Sequence, residues 1–195
     1  DLLQLRPNDV LRLYKPHMSA LVQPPIAAQA VYRIYQSSND KTFLIEMLPK
    51  LKKYYRWLAD NRDFEGEGLL SIITPFESGM DWKASYDPLL KYSKGKAGPL
   101  LFWKVLQVDA HNFLKGYNLK SIYQSNRFIV KDAAFNTIYA QNLEVMARLC
   151  QLIGDKEGAH FMNLAERTGE SILRYMYDEE DAAFYDLYGH RFQKL

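Results

Sequence analysis

One stretch of the chain limits the fold more than any other, because it predicts two long antiparallel helices. Apolar residues recur every three or four positions over residues 135–153, which is typical of a helix with one buried face. Gly154-Asp155 ends this pattern, and a second apolar stripe follows at once over residues 161–175. Helices joined by so short a turn must pack in opposite directions. The first stripe consists of Phe135, Tyr139, Leu143, Met146, Cys150 and Ile153.

Three segments upstream also have helical signatures. The pair Pro24-Pro25 precedes an alanine-rich helix over residues 26–35. Residues 44–58 are apolar on one face, and Pro49 inside them predicts a kink or a helix that begins near the proline. A further helix opens at Pro99 and extends to about residue 114. The chain is therefore predicted to be all-α and to consist of paired antiparallel helices.

Other segments lack a helical period. Residues 69–73 are apolar and partly β-branched, which predicts an extended segment. Residues 86–98 are basic and loop-like. Near the C-terminus, residues 178–181 form an acidic turn, and residues 183–189 alternate like a short strand or hairpin. Loops held by a helical scaffold are where we expect the functional groups.

The length, charge and N-terminal sequence of the chain limit its domain count, its binding partners and its compartment. A chain of 195 residues fits a single domain with a substantial core, in which residues 1–22 are a peripheral lead-in. The 25 basic and 23 acidic side chains give a net charge of +2, so neither nucleic acid nor a membrane is an expected partner. The N-terminus has no signal-peptide pattern, which favours the cytoplasm. A targeting segment outside this chain would instead direct the protein to a secreted or lumenal location.

The histidines and the cysteine give no sign of a cofactor or metal site. His17, His111, His160 and His190 are scattered, without partners at metal-ligand spacing. Cys150 is the one cysteine and lies on the apolar stripe, so it is predicted to be a buried apolar residue. We therefore expect neither a bound metal nor an organic cofactor.

The loop Glu77-Ser78-Gly79-Met80-Asp81-Trp82 is the first candidate for acid–base chemistry. It combines two carboxylates, a turn-forming Ser-Gly pair and large apolar side chains. Desolvation by such neighbours raises the pKa of a carboxyl group toward that of a proton donor. Gly79 permits a turn with positive φ and the close approach of a ligand. On the residues alone, however, an aspartate after a glycine is more often a turn residue than a catalytic one.

The same loop resembles a known catalytic segment. Glu77-Ser78-Gly79-Met80-Asp81 followed by an aromatic residue is similar to the acidic loop of the inverting (α/α)6-barrel glycosidases. These comprise glycoside hydrolase family 63, with processing α-glucosidase and the mannosylglycerate and glucosylglycerate hydrolases, and the related trehalases. Weaker likenesses follow in the family's order at residues 23–25, 130–136 and 178–187. The resemblance covers most of residues 20 to 190.

This resemblance implies a fold and a proton donor. The fold is an (α/α)6 toroid, of which the predicted helices supply about half, and the donor is Asp81. In these enzymes the catalytic base is a glutamate farther downstream, and no stretch here matches its motif. Trp82-Lys83-Ala84 departs from the family's usual Asn or Asp, Ser and Pro, which leaves the shape of the sugar subsite open. The remainder of the barrel, from the same polypeptide or another chain, is therefore an expected partner.

Inverting hydrolysis uses two carboxyl groups on opposite faces of the sugar, ~6.5 to 9.5 Å apart, with a water beside the base. Glu77 lies only four residues from Asp81 on the same loop, so it is poorly placed to be that base. We assign Glu77 to positioning the loop or to binding sugar hydroxyls.

Five other residues are predicted to contact a carbohydrate substrate. Trp82 and Tyr86 have aromatic faces that suit a pyranose ring, although each is equally suited to a core. Asp132 and Asn136 lie one helical turn apart and suit a sugar hydroxyl, or else an N-cap and a packing polar residue. Gln23 resembles a cleft-lining position of the family.

The sequence therefore predicts an inverting glycoside hydrolase acting on an α-linked glucoside or mannoside, in which this chain carries the general-acid loop. The alternative is a non-catalytic helical scaffold, or a degenerate sugar-binding module that lacks the base. Asp81 facing a pocket lined by Trp82 and helix residues favours the enzyme, whereas Asp81 in a buried salt bridge favours the scaffold.

Overall fold

The described part of the chain is built on five helices of twelve or more residues. A computed structural model describes residues 21–93 and 96–195, so most of the predicted lead-in, with His17, lies outside it. The predicted all-α class is confirmed. The helices are α1 (Ala27–Ser38), α2 (Lys41–Arg62), α3 (Asp87–Leu90), α4 (Pro99–Leu114), α5 (Leu119–Ser125), α6 (Ala133–Leu152) and α7 (Gly158–Ser171).

Helices α6 and α7 form the predicted antiparallel pair. Gly154, with φ +71°, lies in the turn that joins them. Helix α6 also packs against α1 and α2, which makes it the central helix of the described structure. The predicted stripe is confirmed from Phe135 to Cys150, because each of its members on α6 is at most 2% exposed. Ile153, just beyond the helix, is half-buried.

Helix α2 runs without interruption through Pro49, so the prediction that a helix begins near this proline is wrong. The helix starts at Lys41, where the Asp40 side chain accepts a hydrogen bond from the Phe43 amide at 3.0 Å. Proline removes one helical donor, but the buried stripe on both sides of Pro49 keeps the helix packed on the core. That stripe consists of Leu44, Leu48, Leu51, Tyr55 and Leu58.

Buried polar groups fix the start of α1 against α2 and α6. The Tyr55 hydroxyl of α2 donates to the Pro25 carbonyl at 2.6 Å and accepts from the Ala28 amide at 3.1 Å. Asn142 Oδ1 of α6 accepts from the Gln29 amide at 2.9 Å. The Ala28 and Gln29 amides in the first turn of α1, where amides have no partner within the helix, are therefore satisfied by two neighbouring helices.

Short antiparallel strands accompany the helices in two small sheets. Strands β1 (Val130–Lys131), β4 (Leu187–Tyr188) and β5 (Gln193–Lys194) form one sheet with β4 in the centre. Strands β2 (Tyr177–Asp178) and β3 (Ala183–Phe184) form a separate hairpin around the predicted acidic turn, so the segment 183–189 is extended as predicted but contributes strands to two different sheets. The pairing of β4 with β1, directly before α6, brings the segment that precedes β4 to the N-terminus of α6.

Several elements differ from the prediction. Helix α7 ends at Ser171, and residues 172–176 form a π-helical turn instead of continuing the α-helix to Tyr175. Helix α3 is short and lies in a segment predicted to be a loop, and the short helix α5 lies in a segment for which no helix was predicted. Within the described part of the chain, none of the helices has the length and apolar character that crossing a membrane requires.

Candidate active site

The extended segment at residues 69–73 delivers the chain to the acidic loop, and side chains from two helices hold its backbone. Asn136 Oδ1 of α6 accepts from the Leu70 amide at 2.7 Å, and Asn136 Nδ2 donates to the Leu70 carbonyl at 2.9 Å. Asn112 of α4 donates to the Ile73 carbonyl at 2.8 Å. Ile72 also forms an antiparallel bridge with Val130. The approach to the loop is therefore fixed from both sides.

The first carboxylate of the loop, Glu77, is buried in a pair with Arg62 of α2. The Arg62 Nη1 and Nη2 atoms lie 2.9 and 2.5 Å from the two Glu77 oxygens. The same oxygens accept from the Ile73 amide at 2.8 Å and the Val22 amide at 2.9 Å. Of the two roles predicted for Glu77, these contacts support positioning the loop; the sugar contact stays a prediction.

Ser78 and Gly79 make the turn that leads to Asp81. The Ser78 hydroxyl donates to the Pro75 carbonyl at 2.8 Å and accepts from the Met80 amide at 2.9 Å. Gly79 has φ +74°, and a Cβ atom at this position would lie 2.9 Å from Pro24 Cγ. Glycine is therefore required both by the backbone conformation and by the close approach of the Pro24 ring.

Asp81 is partly exposed at a shallow, open depression of about 410 Å³. Five consecutive loop residues, 79–83, line this depression, so the predicted contribution of helix residues to the lining is not found there. Trp82 is 45% exposed, and its ring centroid lies 6.2 Å from that of the half-exposed Phe102 on α4. Trp82, the residue after Asp81, therefore shares a partly exposed aromatic surface with Phe102.

The Lys83 side chain connects the end of the loop to two buried aspartates. Its Nζ atom lies 2.7 Å from Asp132 Oδ2 and 2.8 Å from the Asp186 carboxylate. The Tyr86 hydroxyl donates to Asp132 at 2.6 Å, and the Ser85 hydroxyl donates to Asp186 at 2.6 Å. The structure therefore joins the acidic loop, the start of α6 and the segment before β4. We call Lys83 with its two aspartates the Lys83 clamp.

Burial and charge both act on the clamp. Desolvation alone would lower the pKa of Lys83, but the hydrogen bonds and charges of Asp132 and Asp186 raise it above its ordinary value. Desolvation, reinforced by the negative charge of Asp132, raises the pKa of Tyr86. Lys83 is therefore charged and Tyr86 is a neutral donor at neutral pH.

The predicted site residues fall into two groups. Gln23, Asp81 and Trp82 have exposed surface at the loop, and Gln23 Nε2 donates to the Phe76 carbonyl at 3.1 Å. The other four side chains are completely buried, and their polar groups bond to protein partners, so their predicted sugar contacts stay predictions. These four are Glu77, Tyr86, Asp132 and Asn136.

Three residues that organise the loop were not among the predicted site residues: Arg62, Lys83 and Asp186. Arg62 belongs to an amphipathic helix, where a basic residue usually faces solvent, and Lys83 was noted only as a departure from the family pattern. Asp186 lies in the C-terminal segment that resembles the family, and this was the one sequence signal for it.

A model for the mannosylglycerate hydrolase MGH1-like glycoside hydrolase domain matches residues 8–193 of the chain. The chain belongs to this family. The mannosylglycerate hydrolase of Thermus thermophilus is 28% identical over 193 residues, covering 88% of this chain and 46% of that protein. The mannosylglycerate hydrolase MGH2 of Selaginella moellendorffii is 40% identical over 81 residues, covering 39% of this chain and 17% of that protein. The chain therefore spans less than half the length of these relatives.

Solved structures show the same fold. The family 63 mannosylglycerate hydrolase from Thermus thermophilus in complex with glucose has a TM-score of 0.79 at 24% identity, covering 93% of this chain and 45% of that one. The same enzyme in complex with Tris has a TM-score of 0.81 at 22% identity, covering 98% and 50%. The chain therefore has an all-α fold like that of these glycoside hydrolases and corresponds to about half of it.

Proposed function

We propose that the protein containing this chain is an inverting glycoside hydrolase, and that this chain supplies its proton donor, Asp81. The observation that carries the proposal is the placement of Asp81: a partly exposed carboxyl group on a turn whose flanking residues are held by one buried and one partly buried ion pair. A general acid must reach the leaving oxygen reproducibly, and a fixed turn meets this requirement. The chain's membership of a glycoside hydrolase family supports the same reaction class.

The site residues divide into those that face the ligand and those that hold the loop. Asp81 protonates the departing oxygen, while Trp82 and Gln23 contact the sugar. Glu77, Tyr86, Asp132 and Asn136 fix the loop from inside the protein, as their internal hydrogen bonds indicate. The base that activates water belongs to the remainder of the barrel and stands ~6.5 to 9.5 Å from Asp81 in an inverting enzyme.

The substrate that we propose is an α-linked mannoside or glucoside of glycerate. Relatives that cover 67 to 88% of this chain are named mannosylglycerate hydrolase or, in Mycolicibacterium hassiacum, glucosylglycerate hydrolase. The aromatic surface of Trp82 and Phe102 suits the apolar face of either sugar.

Product stereochemistry tests this function. The whole protein is incubated with mannosylglycerate, glucosylglycerate, trehalose and a simple α-glucoside, and NMR follows the anomer that forms first. We expect hydrolysis of a glycerate glycoside with initial release of the β-anomer. Initial release of the α-anomer would contradict inversion. Sugar binding without hydrolysis of any of the four compounds would favour the degenerate binding module.

A further inference from the structure

We infer that Lys83 is a positioning residue for the proton donor: its ion pairs with Asp132 and Asp186 hold the turn that carries Asp81. This inference rests on the proposed function of Asp81 and adds a residue to it. Lys83 lies two residues from the acid and lines the same depression.

Lys83 fixes the turn through its backbone as well as its side chain. The Lys83 amide donates to the Met80 carbonyl at 3.0 Å, which closes a four-residue turn with Asp81 and Trp82 at its centre. Since the Nζ atom of the same residue is held at 2.7 and 2.8 Å by two aspartates, the downstream end of the turn is tied to the protein interior. A movement of Lys83 would therefore move Asp81.

The acids that hold Lys83 are themselves fixed. Asp132 is 0% and Asp186 is 4% exposed. The N-terminus of α6 stabilises both carboxylates, because Asp132 accepts from the Phe135 amide at 2.7 Å and Asp186 accepts from the Ala133 amide at 2.9 Å. Lys83 thus binds a preorganised pair of negative charges, which gives the turn a defined position.

The upstream end of the loop has an independent support. The Arg62–Glu77 pair and the Ser78 hydrogen bonds hold the residues before Asp81 without any contribution from Lys83. Loss of the Lys83 clamp should therefore leave the loop attached but displace the acid. A displacement of about 1 Å can cost on the order of 100-fold in rate.

The test is Lys83→Met in the whole protein, measured on two substrates of the same sugar. One is the glycerate glycoside, whose leaving oxygen needs a proton, and the other is the glycosyl fluoride, which depends less on acid assistance. We expect kcat on the glycerate glycoside to fall ~10- to 100-fold with little change in KM, a smaller loss on the fluoride, and partial recovery in Lys83→Arg. Lys50→Met, which removes a lysine from an exposed ion pair with Glu46, is the matched control.

Unchanged kcat in Lys83→Met, or equal losses on both substrates, would overturn the inference. If this variant does not fold, Lys83→Met combined with Asp186→Asn keeps the net charge of the cluster and allows the same comparison. Asp81→Asn, assayed alongside, separates the two proposals. Near-normal turnover by Asp81→Asn would contradict the proposed function. If Asp81→Asn loses turnover while the folded Lys83 variants keep full activity, only the role of Lys83 is contradicted.

Discussion

Arg62 and Glu77 form a two-pronged ion pair that is almost completely shielded from solvent, with exposed fractions of 1% and 0%. The pair joins helix α2 to the loop four residues before Asp81, at distances of 2.9 and 2.5 Å. The first carboxylate of the Glu-Ser-Gly-Met-Asp sequence is therefore bound by the protein itself, while the second faces outward. Two acids on one short loop therefore have different environments, because Glu77 is buried in an ion pair and Asp81 is partly exposed.

Removing the charge of Glu77 should strongly destabilise the fold. Glu77→Gln leaves the Arg62 guanidinium buried without a counter-charge, and we expect a loss of ~3 to 5 kcal/mol in the free energy of unfolding. Denaturant unfolding measures this change. Glu46→Gln, which removes an acid from an exposed ion pair with Lys50, is the control and should leave stability unchanged within error. Equal effects of the two substitutions would contradict the structural role of Glu77.

Replacing Gly79 by alanine should lower the stability of the protein, whereas the same replacement at Gly169 should not. Gly79→Ala places a Cβ atom at φ +74° and 2.9 Å from Pro24 Cγ, so we expect a loss of ~1 to 2 kcal/mol and lower activity. Gly169→Ala lies within α7 with no atom within 4 Å of the new Cβ, and it should stabilise the protein by ~0.5 to 1 kcal/mol. Thermal and denaturant unfolding of both variants test this contrast; a stable, fully active Gly79→Ala protein would count against it.

The helices show what sequence patterns can and cannot predict. Residues 99–114 were predicted as a helix, and α4 has these bounds because Pro99 fixes φ at the first helical position. Helix α5 was missed because seven residues are too few to show a period. Its signals were local: the Asn118 side chain accepts from the Ser121 amide at 2.9 Å, and Asn126 ends the helix at φ 46°.

For the candidate site, the sequence indicated the loop but not its supports. The residue types and spacing that suggested sugar contacts for Asp132 and Asn136 also suit a helix cap and a buried side chain that hydrogen-bonds to a neighbouring backbone. In the structure, Asp132 caps α6 and Asn136 binds the backbone of Leu70. The deciding partners are remote in sequence: Lys83 lies 49 residues from Asp132 and 103 from Asp186. Spacing within one segment carries no information on such pairs, because the tertiary fold brings them together.

Tyr55 should contribute to stability through its hydroxyl group. Tyr55→Phe leaves the buried Pro25 carbonyl and Ala28 amide without their partner, and we expect a loss of ~1 to 3 kcal/mol. Tyr32→Phe on α1, where the ring is only partly buried, is the control and should change stability little. Denaturant midpoints measured at constant slope report the difference, and indistinguishable midpoints would refute the role of this hydroxyl.

The protein should lose stability at alkaline pH in part through Tyr86. In the folded state, burial raises the pKa of Tyr86 above its ordinary value of 10.0, and the negative charge of Asp132 raises it further. The unfolded chain therefore releases this proton first, so the Tyr86 contribution is complete below pH 10 and declines above it by ~1.4 kcal/mol per pH unit. Urea unfolding across this range should show a shallower decline in Tyr86→Phe than in the unaltered protein. Parallel declines would contradict the assignment.

The leaving-group dependence of Asp81→Asn tests the central claim most directly. The whole protein, Asp81→Asn and the control Asp60→Asn, which alters an exposed acid on α2, are assayed on a glycerate glycoside and on the glycosyl fluoride of the same sugar. If Asp81 is the proton donor, kcat of Asp81→Asn falls ~10²-fold or more on the glycoside and far less on the fluoride, whereas Asp60→Asn keeps normal rates. Near-normal turnover of the glycoside by Asp81→Asn, or the same loss on both substrates, would contradict it.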